Sequence, residues 1–291
     1  MSTEIADLTA ARQAYADNIA AAAALTTPGL REALAAVPRE RFLRAGPWLV
    51  IGESDGKRPS GSSTIDDPRH LYANVSVAID PGRQLFNGAP VYLTRLIDAL
   101  GLRPGGRVLH VGAGLGYYSA VMAHVVSASG SVVALEVDES LLDEARANLA
   151  HMPWVEVRRE ADRSRDAAFD AILVNTGVTH PDAAWLDGLA IGGRLIVPLT
   201  VAMPAMGHSL GKGVVVAIER SAGDRFTAAM VSFIAIYSAV GLRDPVMEGT
   251  LSQALRRTSF PNLTRLRRDA HESSDACWLH GEHFCLSMEP A

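Results

Sequence analysis

The chain has two cysteines in 291 residues, Cys277 and Cys285, both close to its C-terminal end. That is too few for a disulfide framework, so a packed core must hold the fold and a reducing cytoplasm is the expected compartment. No apolar run reaches the length of a bilayer span, so no membrane partner is expected. The alanine run Ala20 to Ala24 follows Glu4, Asp7 and Asp17 instead of a basic leader, which argues against a signal peptide. Positive charge is not in excess: a formal net charge of −5 and a pI near 6.0 do not suit a surface that tracks a phosphate backbone, and no nucleic-acid partner is expected. No internal repeat of solenoid length occurs.

What is present is an alternation of strand-like and helix-like segments. Arg107 to Val111 is a short apolar run of buried-strand character, followed by Gly112, Gly114 and Gly116 and a helix beginning near Tyr117. A second strand, Ser131 to Glu136, ends on an acidic side chain, about 20 residues beyond the glycines, where a carboxylate holds the hydroxyls of a ribose. The unit reads as nucleoside-binding β-α-β. A dinucleotide fold asks for G-x-G-x-x-G, whereas the spacing here is G-x-G-x-G with Tyr117 at the next position, so NAD is disfavoured.

Upstream, apolar residues at helical spacing predict a helix over Glu4 to Leu25, and Thr27-Pro28 reads as an N-cap with proline at the first position of a second helix. Gly52 to Arg69 is rich in Gly, Ser, Pro and Asp and reads as a loop or substrate flap. Pro90 opens a further helix carrying Leu93, Leu96, Ile97 and Leu100. Downstream, Asp138 caps a helix, strands are expected at Val155 to Arg158, Phe169 to Asn175 and Arg194 to Pro198, and Pro181 starts a helix between the last two. Val214 to Glu219 and Ala229 to Tyr237, joined across Ser221 to Asp224, predict antiparallel strands at the end of the sheet.

The stretch V-L-H-V-G-A-G-L-G-Y with its acidic second strand resembles the first motif of class I S-adenosylmethionine methyltransferases. Three further blocks, V-P-R-E-R-F-L at 37–43, L-Y-A-N-V-S-V-A-I at 71–79 and F-D-A-I-L-V-N at 169–175 with its continuation to Leu199, are similar in order and character to the protein-L-isoaspartate O-methyltransferase family. The match spans most of residues 30–240. It implies a Rossmann-like α/β fold, mostly parallel, with helices on both faces and antiparallel C-terminal strands. It also implies S-adenosyl-L-methionine as cofactor, and a peptide or protein substrate carrying aspartate or isoaspartate as methyl acceptor. The expected division is residues 1–82 as a helical region with the flap, 83–240 as the cofactor-binding core and 241–291 as an extension.

On that resemblance Gly112, Ala113, Gly114 and Gly116 would wrap the methionine and ribose of the cofactor. Glu136, followed by Val137, would accept from the ribose hydroxyls, and Asp162 from the adenine amino group. Asn175 and His180, with Thr176, follow a strand at the carboxyl edge of the sheet, where substrates bind; each also fits a plain turn role. Two departures stand out. Where the family's substrate loop reads T-I-S-x-P, this chain has Phe86-Asn87-Gly88-Ala89-Pro90, so Gly88 takes the place of the serine and Asn87 is the neighbouring polar group. Related enzymes carry an acid where this chain has His110, which can be either a cofactor contact or a core histidine. A carboxylate is already nucleophilic at neutral pH, so positioning matters more than a general base.

The tail contains Arg256, Arg257, Arg265, Arg267 and Arg268, a carboxylate-recognising patch or a solvated face. Cys277, His280, His283 and Cys285 are metal-ligand types, but their spacing departs from ordinary zinc patterns and no metal is expected. Two rival readings share the cofactor half: a small-molecule O- or N-methyltransferase, and a non-catalytic protein that binds S-adenosylmethionine.

Overall fold

Strand and helix alternate along the chain because short β-branched runs are punctuated by Gly, Pro and capping Asp residues. The computed structural model describes residues 2–53, 62–159, 168–204 and 209–289. It divides into two compact units, Met1–Gly106 with Ala113–Ala161, and Arg107–Gly112 with Asp162–Ala291.

The first unit opens with helices α1 (Ser2–Ala23) and α2 (Leu30–Ala36). The expected cap at Thr27-Pro28 is corrected here: α2 is preceded by Gly29 in the left-handed conformation, and no side chain caps it. Thr27 is drawn away by a distant carboxylate, because its N–H donates to Asp98 Oδ1 at 2.6 Å and its hydroxyl to the Asp98 carbonyl at 3.1 Å. Four antiparallel strands follow, β1 (Trp48–Glu53), β2 (Ser62–Ile65), β3 (Asn74–Asp80) and β4 (Leu85–Phe86), in the order β2-β1-β3-β4. The loop expected over 52–69 is therefore partly regular: Ser62–Ile65 pairs with Trp48–Ile51, and a short 3₁₀ turn covers Pro68–Leu71. Residues 54–61 lie outside the described part. Val50, Leu71, Val75 and Val77 form the core of this sheet. The alternating burial of β3 places Val75, Val77 and Ile79 on the buried face.

Arg39, in the V-P-R-E-R-F-L block, is 1% exposed. Its guanidinium donates to the carbonyls of Leu71, Ala73 (3.1 Å) and Val75 (2.9 Å) and lies over the rings of Tyr15 and Tyr117 at 5.5 and 5.7 Å. A planar five-donor cation suits that role, satisfying carbonyls that no strand partner reaches. Helix α3 (Pro90–Ala99) then buries Leu93, Leu96 and Ile97. Helix α4 (Tyr117–Val126) is apolar nearly all round and almost wholly buried. Strands β6 (Ser131–Glu136) and β7 (Val155–Arg159) pair in parallel across helix α5 (Glu139–Leu149), whose N-cap Asp138 accepts from Leu141 N–H.

The second unit holds β5 (Arg107–Val111), parallel to β8 (Phe169–Val174), which is parallel to β9 (Leu189–Ala202). The helix expected from Pro181 is the short α6 (Ala183–Asp187), and its cap is Asp182, which accepts from Ala184 N–H at 2.8 Å. From β9 onward the sheet is antiparallel through β10 (Leu210–Ala222), β11 (Arg225–Tyr237), β12 (Arg265–Arg267), β14 (Cys285–Ser287) and β13 (Cys277–His280). Helix α7 (Pro245–Arg257), capped by Asp244, precedes these last three strands. Among the described residues no helix is long and apolar enough to cross a membrane.

Candidate functional site

In the first unit the residues after β5 make a tight turn. Gly114 and Gly116 have φ of +56° and +94°, and a Cβ on Gly116 would lie 2.7 Å from Leu149 Cδ1, which restricts that position to glycine. Ala113 N–H donates to the Leu135 carbonyl at 3.0 Å, which ties the turn to β6. At the end of β6, Glu136 is 7% exposed. Its Oε2 accepts from Gly114 N–H at 2.7 Å, and Oε1 accepts from Val137 N–H (2.9 Å) and Asp138 N–H (3.1 Å). Burial pushes its pKa above the ordinary carboxylate range, against the opposing pull of those three donors. A carboxylate offers about four lone-pair positions, so three are occupied and Oε2 keeps one for a ligand hydroxyl. Val137, beside it, is 46% exposed.

Asn87 and Gly88 follow β4 in the same unit. Asn87 makes a two-way pair with Val77: its Oδ1 accepts from Val77 N–H, and its N–H donates to the Val77 carbonyl, both at 2.9 Å. Asn87 thus carries the pairing of β4 with β3 one residue further. Gly88 has φ +82°, a Cβ there would sit 2.7 Å from Leu93 Cδ2, and its carbonyl lies 3.5 Å from Tyr118 Oη. A serine in this backbone conformation would be both strained and crowded. The departure from T-I-S-x-P is therefore matched by a loop shaped for glycine.

In the second unit His110 is fully buried in β5, and burial pushes its pKa down from 6.5 to about 3. The ring is neutral at physiological pH, so it adds no positive charge at the end of β5. Gly112, with φ +79°, lies against the carbonyl of Asn175, and Asn175 N–H donates to the Val111 carbonyl at 2.8 Å. The residues after β8 are held mostly through their main chain. Thr176 Oγ1 donates to the Tyr237 carbonyl at 3.0 Å, a turn role. Thr179 Oγ1 accepts from Asp244 N–H at 3.0 Å and pairs with His180 Nδ1 at 2.9 Å. The His180 ring stacks on Phe284, with centroids 6.2 Å apart and planes 16° from parallel.

One residue that sequence reasoning passed over organises this segment. Arg243 donates to the carbonyls of Gly177 and Thr200, both at 2.9 Å, and to Thr200 Oγ1 at 3.0 Å, and it pairs with Glu248 at 3.0 Å. No local pattern marks it, because the Gly177 and Thr200 groups it binds lie 66 and 43 residues upstream. Asp162 lies outside the described residues.

The chemistry of this donor set fits S-adenosylmethionine: a buried acid with one free acceptor position, set against the N–H of a glycine turn, is suited to a nucleoside ribose. Comparison with known proteins agrees. A family model for protein-L-isoaspartate(D-aspartate) O-methyltransferase (PCMT) matches residues 63–221. The chain is 32% identical to the protein-L-isoaspartate O-methyltransferase of Methylorubrum extorquens (strain PA1) over 253 residues, covering 84% of this chain and 96% of that one. Among solved structures, a protein-L-isoaspartate O-methyltransferase superposes with TM-score 0.54 at 21% identity, over 79% of this chain and 64% of the other. A second, a β-aspartate methyltransferase from Plasmodium falciparum in complex with S-adenosyl-L-homocysteine, gives TM-score 0.51 at 18% identity, over 78% and 97%. The fold is thus that of the class I methyltransferases, and the chain belongs to the protein-L-isoaspartate(D-aspartate) O-methyltransferase family of S-adenosylmethionine-dependent enzymes.

Proposed function

We propose that this chain methylates a side-chain carboxylate, of isoaspartate or aspartate, in a peptide or protein. The observation that carries the reading is Glu136, locked at the end of β6 with Gly114 N–H on one oxygen and an acceptor position still free on that same oxygen. In the first unit Ala113, Gly114, Gly116, Glu136 and Val137 would hold the cofactor. In the second, Gly112 continues the same turn in sequence, His110 lies one residue before the end of β5, and Asn175 directly follows β8. The cofactor supplies an electrophilic methyl group on a sulfonium. The protein's work is to bind and orient, since an ionised carboxylate attacks without losing a proton. That requirement agrees with a neutral His110.

The shape of the loop at Gly88 supports an acceptor other than general damaged protein, and a dedicated peptide with a recognised aspartate is the variant it favours. His180 belongs to the acceptor side in this reading, with Phe284 beside it. The two thiols, free in this structure, suit a cytoplasmic enzyme.

The test is transfer of labelled methyl from S-adenosylmethionine to an isoaspartyl peptide and its aspartyl twin, with the product assayed as a base-labile ester. Ester on either peptide supports carboxyl methylation, and ester on the isoaspartyl peptide alone would replace the dedicated-peptide variant with general repair. Glu136→Ala should weaken cofactor binding roughly 10–100-fold, the equivalent of one charge-assisted hydrogen bond. Unchanged binding in that variant would remove the basis of the assignment. Methyl incorporation confined to small phenols or amines would overturn the carboxylate acceptor.

A further inference from the structure

Far along the chain from the glycine turn, four metal-ligand side chains converge. His271, Cys277, His280 and Cys285 each offer one ligand atom, and these atoms all lie within 4.8 Å of one another. A tetrahedron built from Zn–S and Zn–N bonds of ordinary length has edges of about 3.3–3.8 Å, so a shift well under the length of one bond closes the group around an ion.

The backbone explains how they meet. His280 lies directly opposite Cys285 in the β13–β14 pair, which puts both side chains on one face. Cys277 is three residues before His280 and in a regular strand would face the other way. A register shift between Cys277 and Leu279 resets the alternation and returns Cys277 to that face. His271 comes from the segment before β13. Its Nδ1 lies 2.8 Å from the Asp269 carbonyl, and since a carbonyl only accepts, that nitrogen carries the proton. Nε2 is then left as a lone pair, and it lies 3.7 Å from Cys277 Sγ. Orientation of a ligand histidine by a main-chain carbonyl is the usual outer support of a zinc site. Ser274 N–H points at Cys277 Sγ at 3.4 Å, a donor suited to a thiolate. Cys277 and Cys285 are 3% and 0% exposed, and His280 Nδ1 is buried with no hydrogen-bond partner among the described residues.

We infer that His271, Cys277, His280 and Cys285 form a closed, structural Zn²⁺ site that fastens the C-terminal hairpin to the segment before it. Two thiolates and two neutral imidazoles in tetrahedral reach select zinc over the hard cations. Binding forms two Zn–S and two Zn–N bonds and sends the two thiol protons to solvent, so the complex is neutral. His283 is not a ligand: its side chain is 68% exposed and sits 3.7 Å from Glu282. The same hairpin carries Phe284, which stacks on His180.

The experiment is elemental analysis of the full-length protein purified under reducing conditions without chelator, followed by Co²⁺ titration of the metal-stripped chain. About one zinc per chain is expected, with tetrahedral d–d bands and thiolate-to-cobalt charge transfer on titration. Cys285→Ser and His271→Ala should each weaken binding by on the order of 100-fold or more, beyond what loss of an outer-sphere partner does. His283→Ala should bind as the unaltered chain does, and it remains informative if the ligand variants fail to fold. Absence of zinc together with absence of a cobalt spectrum would overturn the inference. So would a Cys277–Cys285 disulfide in the reduced-purified protein, or loss of metal in His283→Ala.

Discussion

Lowering the pH from about 7 to about 5 protonates an exposed histidine in an unfolded chain but leaves the buried His110 neutral, and the difference is a measurable loss of stability. The fold holds its pKa near 3, whereas the unfolded chain has it near 6.5. A base whose folded pKa is depressed contributes stability that is complete above the unfolded value and lost as pH falls below it, because the unfolded chain binds the extra proton. Below pH 6.5 the decline is about 1.4 kcal/mol per pH unit, which reaches about 2 kcal/mol at about pH 5 and levels off only near the folded value. Other groups titrate over the same range, so the assay compares two chains. Urea unfolding of the original protein and of His110→Gln, at both pH values, isolates the term whatever the basal stability of the variant. The original protein should lose about 2 kcal/mol more than the variant between the two conditions. Equal losses would refute the reasoning and mean that His110 takes up its proton in the folded protein.

Restoring the family's serine with Gly88→Ser should destabilise the chain by about 1–3 kcal/mol, since φ there is +82° and Leu93 must move; thermal unfolding reads this, and an unchanged Tm would show that the loop has a second conformation. Arg39→Met leaves the carbonyls of Leu71, Ala73 and Val75 without their donor. At about 1–3 kcal/mol for each of the two buried groups, Leu71 and Val75, the loss is at least about 2 kcal/mol, or roughly 4–8 °C in Tm. Asp98 accepts from Thr26 and Thr27, and burial raises its pKa less than these donors lower it, so it stays below the ordinary range. Its contribution is complete above the unfolded value of 3.8 and disappears as pH falls through the folded one. The stability gap between the original chain and Asp98→Asn should therefore be present at neutral pH and close in acid.

The parts of the fold that were legible in the sequence are those written locally. Strands β5 and β6 begin and end where the apolar runs and glycines said they would, at Arg107–Val111 and Ser131–Glu136, because a β-α-β turn carries its own punctuation. Where a distant residue decides, local reading failed. Thr27 looked like a cap and instead serves Asp98, 71 residues away. Ser62–Ile65 looked like loop because its polar side chains gave no period, yet its main chain pairs with β1. The C-terminal quartet shows the same limit. Sequence spacing offered His283 and missed His271, since membership depends on a bulge in β13 and on where residues 268–276 return. For Gly88 no signal short of coordinates reveals the sign of φ.

The stacking of Phe284 on His180 joins the proposed metal site to the proposed acceptor side. Phe284 directly precedes Cys285 in the chain, so a reagent that strips or oxidises the C-terminal sulfurs acts one peptide bond from an aromatic ring that stacks on His180. If the quartet holds zinc and His180 serves the acceptor, as proposed, two preparations of equal purity, one stored with a chelator and one without, would differ in apparent acceptor preference while binding cofactor alike. Storage buffer belongs among the controlled variables in any screen for the natural acceptor.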